Sequence, residues 1–520
     1  MGGALMLAGD NAPGQGARSR QRRLGGVLAY VQIGLNVAIA LIYTPFMVNA
    51  LGQANYGLFA IAGAMASYLI ILDMGLADSV VRRLVGFHVK EDAQGEQGFL
   101  GSMLSLYGLV ALAVLVVSAA LVLLVPSLFG GRLSPGEIEA LRTMLVPLGV
   151  GAAVVVASNP VNAALIAYER FVFLRVLEMA ASLSITSASV VVLLHGGGVV
   201  AIVVTSTLGV LCTNVAKWLA VGRGLRLPLT PRRLHRPQVL EMSTYAAPIF
   251  VSMLVEQIFW KLDNILIGAR LGAAAVAVYA IGVMFNKYFM AFATAISRVM
   301  MPDLVRRIDS GSSIESLTER LVEVSRWQAM TLMLVLSGLL LFGQHFIHAW
   351  MGPGYELSYW VLTCTLGPYA FELIGNVRNV VLQVQGLYWW RAGIFLAAAV
   401  LNIPATLWAM SYWGLVGAAA CTGMGIFLAY LGVAWVLSSK VGIPVLSYLA
   451  GVWRGIAQAL VVAVLLGIGL EHQFPSEGWL ALGLKVVIYT LAYLALIWTL
   501  GLDDAERRQV RSVILRRVPA

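Results

Sequence analysis

The 520-residue chain is 60% hydrophobic and 12% charged, with a mean hydropathy of +0.85. Soluble domains carry about 25% charged residues, so this composition excludes a large soluble protein and implies an integral membrane protein. The net charge of +10 does not imply a nucleic-acid partner, because the basic residues sit in short loops between apolar runs.

Residues 1–24 are polar and Gly-rich with four arginines. The apolar run after them is longer than a signal-peptide core and lacks a convincing cleavage site, so they read as an uncleaved tail. A spanning helix needs about 20 mostly apolar residues. Fourteen such runs follow, beginning near Val27, Tyr56, Phe99, Leu141, Phe171, Val199, Tyr245, Ala273, Trp327, Leu357, Ala392, Leu415, Val445 and Trp479. With the N-terminus inside, 26 of the 35 Lys and Arg residues fall on the inner side, and only Arg132, Arg142 and Arg270 fall outside. Both termini are therefore expected in the cytoplasm. The three cysteines (Cys212, Cys364, Cys421) lie in apolar runs without metal-ligand spacing and read as small hydrophobes.

The runs repeat. At an offset of 220, Leu51-Gly52 matches Leu271-Gly272, Phe59 matches Tyr279 and Ala60-Ile61 matches Ala280-Ile281. At an offset of 217, Asn162 matches Asn379 and Leu165 matches Leu382. Six helices separate the copies, so both start on the same side, as parallel repeats do. The expected fold is an all-α integral membrane protein of about 14 transmembrane helices, made of two pseudo-symmetric six-helix bundles plus two extra C-terminal helices. Its parts would be a cytoplasmic tail (1–24), an N-terminal bundle (25–220) and a basic cytoplasmic linker (221–240). A C-terminal bundle (241–438), helices 13–14 (439–503) and a basic cytoplasmic tail (504–520) would complete it.

Three stretches carry a family likeness: "TPFMVNALGQANYGLFAIAGAMASYLIILDMGLADSVVR" from Thr44, "KLDNILIGARLGAAAVAVYAIG" from Lys261 and "VLQVQGLYWWRAGIFLAAAVLNI" from Val381. Over roughly residues 25–438 the chain resembles the polysaccharide flippases of the multidrug/oligosaccharidyl-lipid/polysaccharide exporter superfamily. The resemblance implies transfer of undecaprenyl-diphosphate-linked sugar repeat units between leaflets of a bacterial inner membrane by alternating access, a cationic cavity and an ion gradient as drive. It also implies membrane lipids, a polysaccharide polymerase and glycosyltransferases as partners, and no cofactor. Multidrug/toxin extruders and lipid II flippases share the fold and stay open as alternatives.

Ionisable groups inside spans are the candidate site, since each costs about 2.5–3.5 kcal/mol at a helix centre. Lys287, Arg298 and Arg378 are candidates to receive a diphosphate. Asp73, Glu256, Asp263 and Glu372 are candidates for ion coupling or structural pairing. Glu256 and Lys287 lie at similar depth on consecutive helices, so a structural pair is the competing reading. Ser252, Glu256 and Asp263 fall on one helical stripe. Asp73 fits a water-filled inner vestibule, Asp78 with Arg82 an interfacial pair, and Arg175 with Glu178 a structural one. Arg378 is within snorkelling reach of the interface, as are Arg454 and Lys485, which receive no transport role.

No hydrolase, P-loop or metalloprotease motif occurs, and no catalytic residue is expected. His345 and His348 have helical spacing but no third ligand, so no metal is expected. A membrane glycan polymerase or transferase would need a large outer loop, and the longest, near 126–141, is short. A non-transporting scaffold would leave the buried charges unexplained.

Overall fold

A computed structural model describes residues 15–234, 236–310, 313–474 and 478–515. The described residues are almost entirely helical, as expected for a chain whose backbone polar groups must be satisfied without water. The helices are α1 (Gln15–Leu51), α2 (Gln53–Ile70), α3 (Leu76–Val89), α4 (Ala93–Phe129), α5 (Pro135–Ala157), α6 (Asn159–Ala167), α7 (Phe171–Leu194), α8 (Val199–Leu219), α9 (Arg236–Gln257) and α10 (Asp263–Leu271). They continue as α11 (Ala273–Asp309), α12 (Ile314–Met351), α13 (Glu356–Ile374), α14 (Arg378–Val384), α15 (Tyr388–Val436), α16 (Val445–Trp453), α17 (Ile456–Gln473), α18 (Trp479–Leu496) and α19 (Asp504–Leu515).

Eleven stretches of the described residues are long and apolar enough to cross a membrane. One of them, Tyr388–Val441, holds two helices that meet at Gly414, whose φ of 55° and ψ of −133° break the helix. The connection after α4 is five residues, 130–134, closed by a capping box in which Ser134 and Glu137 bond each other's backbone. The run expected to span from Val445 is also interrupted. Helix α16 stops at Trp453, the chain bends at Arg454–Gly455 (Gly455 φ 74°), and the spanning helix α17 starts only at Ile456.

The residues divide by contact into two compact units, Met1–Ala277 and Val278–Ala520. The division falls inside α11, so α9 and α10 count with the first unit. Packing explains this: a Cβ on Gly57 of α2 would lie 1.8 Å from the Ala273 carbonyl oxygen, so these backbones touch directly. The core of the first unit joins α2–α6 through residues such as Leu69, Val80, Leu100, Met103, Val156 and Leu165. In the second unit α12 packs against α13, α16, α17 and α18, and α13 against α15. There, a Cβ on Gly423 would fall 2.0 Å from the Cys364 carbonyl oxygen. Close crossings through small residues are how helices hold together where lipid removes the hydrophobic drive.

Two glycine turns mark corresponding places. Gly52 (φ 80°, ψ 162°) separates α1 from α2, and Gly272 (φ 90°, ψ 173°) separates α10 from α11. The two positions are those matched by the 220-residue offset.

Candidate functional site

In the first unit, the polar centre forms where two helices break. Helix α2 tightens into a 3₁₀ turn at Ile71–Asp73, and Met74 (φ 52°) and Gly75 (φ 69°) then adopt the left-handed conformation before α3 starts. Helix α5 ends at Ala157, and α6 restarts with Asn159-Pro160, proline being suited to a helix's first turn. The Asn159 amide donates to Asp73 Oδ1 at 3.0 Å. Asp73 is 6% exposed, so it is buried rather than facing a wet vestibule. The reason is the break itself, which turns the carboxyl away from solvent and towards α6. The buried Tyr107 hydroxyl lies beside it, close enough to feel its charge. Around the same break, Trp218 Nε1 donates to Ser158 Oγ at 2.9 Å, and Lys217 Nζ to Asn162 Oδ1 at 3.1 Å. The buried Asp73 carboxylate thus takes a hydrogen bond from a neutral amide across the break.

The second unit has a similar break between α13 and α14, with a different charge. Asn376 Oδ1 accepts from Gln328 Nε2 at 3.1 Å and from Ser297 Oγ. Arg378 is 3% exposed and does not reach an interface. Its guanidinium stands 4.8 Å from the Tyr430 ring and 5.3 Å from the Tyr448 ring, and Nε donates to the Gly375 carbonyl at 2.9 Å. The Tyr448 ring comes from α16 and closes the cation in, which the sequence pattern does not reveal. Among the described residues Arg378 has no carboxylate partner in its own unit, and Nη1 is buried without a hydrogen bond. Glu372 pairs instead with Arg391, at 3.4 Å, and Arg391 stacks on Phe395 at 4.6 Å. Arg391 was not among the expected site residues; its "YWWR" context is the only signal for it.

The remaining charged candidates are arranged otherwise. Lys287 is exposed on α11, while its neighbour Asn286 is buried and donates to Thr365 at 3.1 Å. Within its own unit Lys287 has no carboxylate partner among the described residues. Glu256 is exposed on α9, whereas Asp263 is 1% exposed. These two therefore do not share a stripe. The π-helical turn Ile258–Leu262 lies between them and widens the spiral, rotating everything after it. A Glu256–Lys287 pair would join the two units and stays a proposal. Arg298 lies outside the residues whose side chains are described.

The other charged groups singled out in the sequence are arranged as follows. Arg175 pairs with Glu178 at 3.0 Å as spaced, and Gln32 joins both. Lys485 does not snorkel; it is buried and bonds Glu471 at 3.1 Å. His345 Nδ1 meets the same carboxylate at 2.6 Å rather than combining with His348. Among the described residues no group of three or more His, Cys, Asp or Glu side chains could hold a metal ion.

A bundle of this many apolar spans, with polar groups held at helix breaks, defines a multi-pass membrane protein. The chain belongs to the polysaccharide biosynthesis protein family, whose model matches residues 25–308. No curated protein matches it significantly. Among solved structures it is similar to the lipid II flippase MurJ in an inward closed conformation (TM-score 0.73, 13% identity, covering 95% of this chain and 100% of that one). It is also similar to an inward-facing multidrug resistance MATE family transporter of the MOP superfamily (TM-score 0.63, 17% identity, covering 79% and 95%). A further similar structure is a MOP superfamily transporter from Pyrococcus furiosus (TM-score 0.53, 15% identity, covering 79% and 94%). At these identities the likeness is one of fold.

Proposed function

We propose that the protein is a flippase that carries undecaprenyl-diphosphate-linked oligosaccharide or polysaccharide repeat units across a bacterial inner membrane by alternating access. It would have fourteen spans, both termini in the cytoplasm and an ion gradient as drive. The observation that carries this reading is membership of the polysaccharide biosynthesis family over residues 25–308, on a fold similar to that of a lipid flippase along 95% of the chain. Two features of charge support it. Lys287 is exposed on the face of an apolar helix, a placement tolerable in a water-filled cavity and costly against lipid. Such a cation, with Arg298 eleven residues further and about 16 Å along the helix, would form a track for a diphosphate that must exchange hydration for fixed charge. The buried Asp73 site is the natural place for the coupling ion.

A cell lacking the gene should lose surface polysaccharide and accumulate the lipid-linked repeat unit on the inner leaflet. The wild-type gene should restore export, while Lys287→Ala and Arg298→Ala at normal membrane abundance should not. Normal polysaccharide together with new sensitivity to cationic dyes would instead favour the multidrug extruder sharing this fold.

A further inference from the structure

Arg326, near the start of α12, is 6% exposed, yet its guanidinium is saturated with partners. Nε and Nη2 bond the two Glu506 oxygens at 2.7 and 2.9 Å. Nη1 donates to the carbonyls of Gly451 (3.0 Å) and Arg454 (2.8 Å), and Nη2 also to that of Gly501 (2.6 Å). These acceptors lie on α16, at the bend before α17, just after α18, and on α19. One side chain therefore joins five segments. The bend has no slack, since a Cβ on Gly455 would sit 2.3 Å from the Leu500 carbonyl oxygen. The start of α19 is equally fixed: Asp503 N bonds Glu506 Oε2 at 2.9 Å and Glu506 N bonds Asp503 Oδ1 at 2.8 Å.

The rest of α19 faces outward. At 100° per residue, Glu506 and Val510 point towards the protein, and Arg507, Arg511 and Arg508 form one adjoining basic face. Arg507 donates to the Trp498 and Thr499 carbonyls at 3.1 and 2.8 Å, and Arg511 stands 5.8 Å from the Trp498 ring. Those carbonyls close the last spanning helix, so the basic face is level with the end of that span. In a bilayer this is the headgroup layer, where tryptophan also settles. Arg508 and Arg511 are exposed there.

We propose that α19 is a reader of anionic phospholipid: Arg508 and Arg511 bind acidic headgroups, and the Arg326–Glu506 clasp carries that contact to the bend at Arg454–Gly455 and to α12. The inference is independent of the transported substrate. It requires only that the chain sits in a bilayer.

The test is hydrogen–deuterium exchange on the full chain, in discs of phosphatidylcholine alone or with one third phosphatidylglycerol. In the wild type, anionic lipid should slow exchange of amides 504–512 about tenfold. Amides 451–456 should slow with them. Arg508→Gln with Arg511→Gln, a change confined to exposed side chains, should abolish both effects. In Glu506→Gln the helix should still respond to lipid while the bend no longer does. Equal exchange in the two lipids, or a response that survives the double arginine change, would overturn the headgroup assignment. A bend that still responds in Glu506→Gln would overturn the clasp.

Discussion

The break between α5 and α6 and the break between α13 and α14 occupy corresponding places in the two units but carry opposite charge. Asn376 stands 217 residues after Asn159, the offset found between the matching segments. Each asparagine sits where its helix is interrupted, and each is hydrogen-bonded to a polar group on another helix. In the first unit that group is the buried carboxyl of Asp73; in the second it is neutral, Gln328 and Ser297, and the ionised neighbour is Arg378 between two tyrosines. An interrupted helix leaves backbone and side-chain groups that need partners in a medium without water, so the break is kept in both units. What fills it can then diverge. One unit buries a carboxyl there, and the other buries a guanidinium.

The largest effect should come from removing the charge at the first break. Asp73→Asn keeps the shape and the acceptor oxygen for Asn159 while removing the ionisable carboxyl. If the first break binds the coupling ion, export measured as surface polysaccharide should fall at least about tenfold at unchanged abundance. A merely structural carboxyl would tolerate this change, since replacing a buried charge by a neutral group of the same shape is often neutral or stabilising. Normal export in Asp73→Asn would therefore remove the functional half of the contrast.

At the second break the expected loss is in stability. Arg378→Ala removes two cation–π contacts in a desolvated setting, worth about 2–4 kcal/mol together. Lysine should not rescue it, because only the planar guanidinium can stack between the Tyr430 and Tyr448 rings. Unfolding of the purified protein in detergent would show this as a lowered midpoint for both variants. Rescue by Arg378→Lys would mean that charge alone matters at this break.

These two sites were unequally legible from sequence. Apolar runs of spanning length located the helices, and the repeated Leu-Gly pair located the turns at Gly52 and Gly272. Asp73 and Arg378 stood out as charges in apolar surroundings. Their partners did not, because Asn159 lies 86 residues from Asp73 in the chain and Tyr448 lies 70 from Arg378. The stripe joining Glu256 to Asp263 failed because a π-helical turn changes the residue spacing without any marker residue. Arg326, just before the apolar run that begins near Trp327, is buried by segments 125 to 180 residues downstream.

The two glycine turns, both in the first unit, test whether the segments matched at the 220-residue offset correspond at the backbone. Gly52 and Gly272 both occupy a region of positive φ and extended ψ reserved for glycine. Neither added Cβ would meet an atom closer than 4.0 Å, so alanine would strain the backbone without a clash. Gly52→Ala and Gly272→Ala should each cost about 1–3 kcal/mol, and by similar amounts. A clear inequality in their unfolding midpoints would show that the turns are not held equivalently.

The smallest effect concerns the ion pair beside the second break. Glu372 and Arg391 are separated by 3.4 Å, and their side chains are 11% and 19% exposed. The pair is long for a charge-assisted bond, and Arg391 also rests on the Phe395 ring, so part of its stabilisation does not depend on Glu372. A double-mutant cycle with Glu372→Gln and Arg391→Gln should therefore give a coupling of about 1 kcal/mol, near the top of the range for exposed pairs and well below the loss on breaking a fully buried one. Arg391→Gln alone should lower stability by more than Glu372→Gln alone, because it also loses the aromatic contact. Equal single effects with a coupling of several kcal/mol would make this pair, and not the caged Arg378, the main electrostatic lock of the second unit.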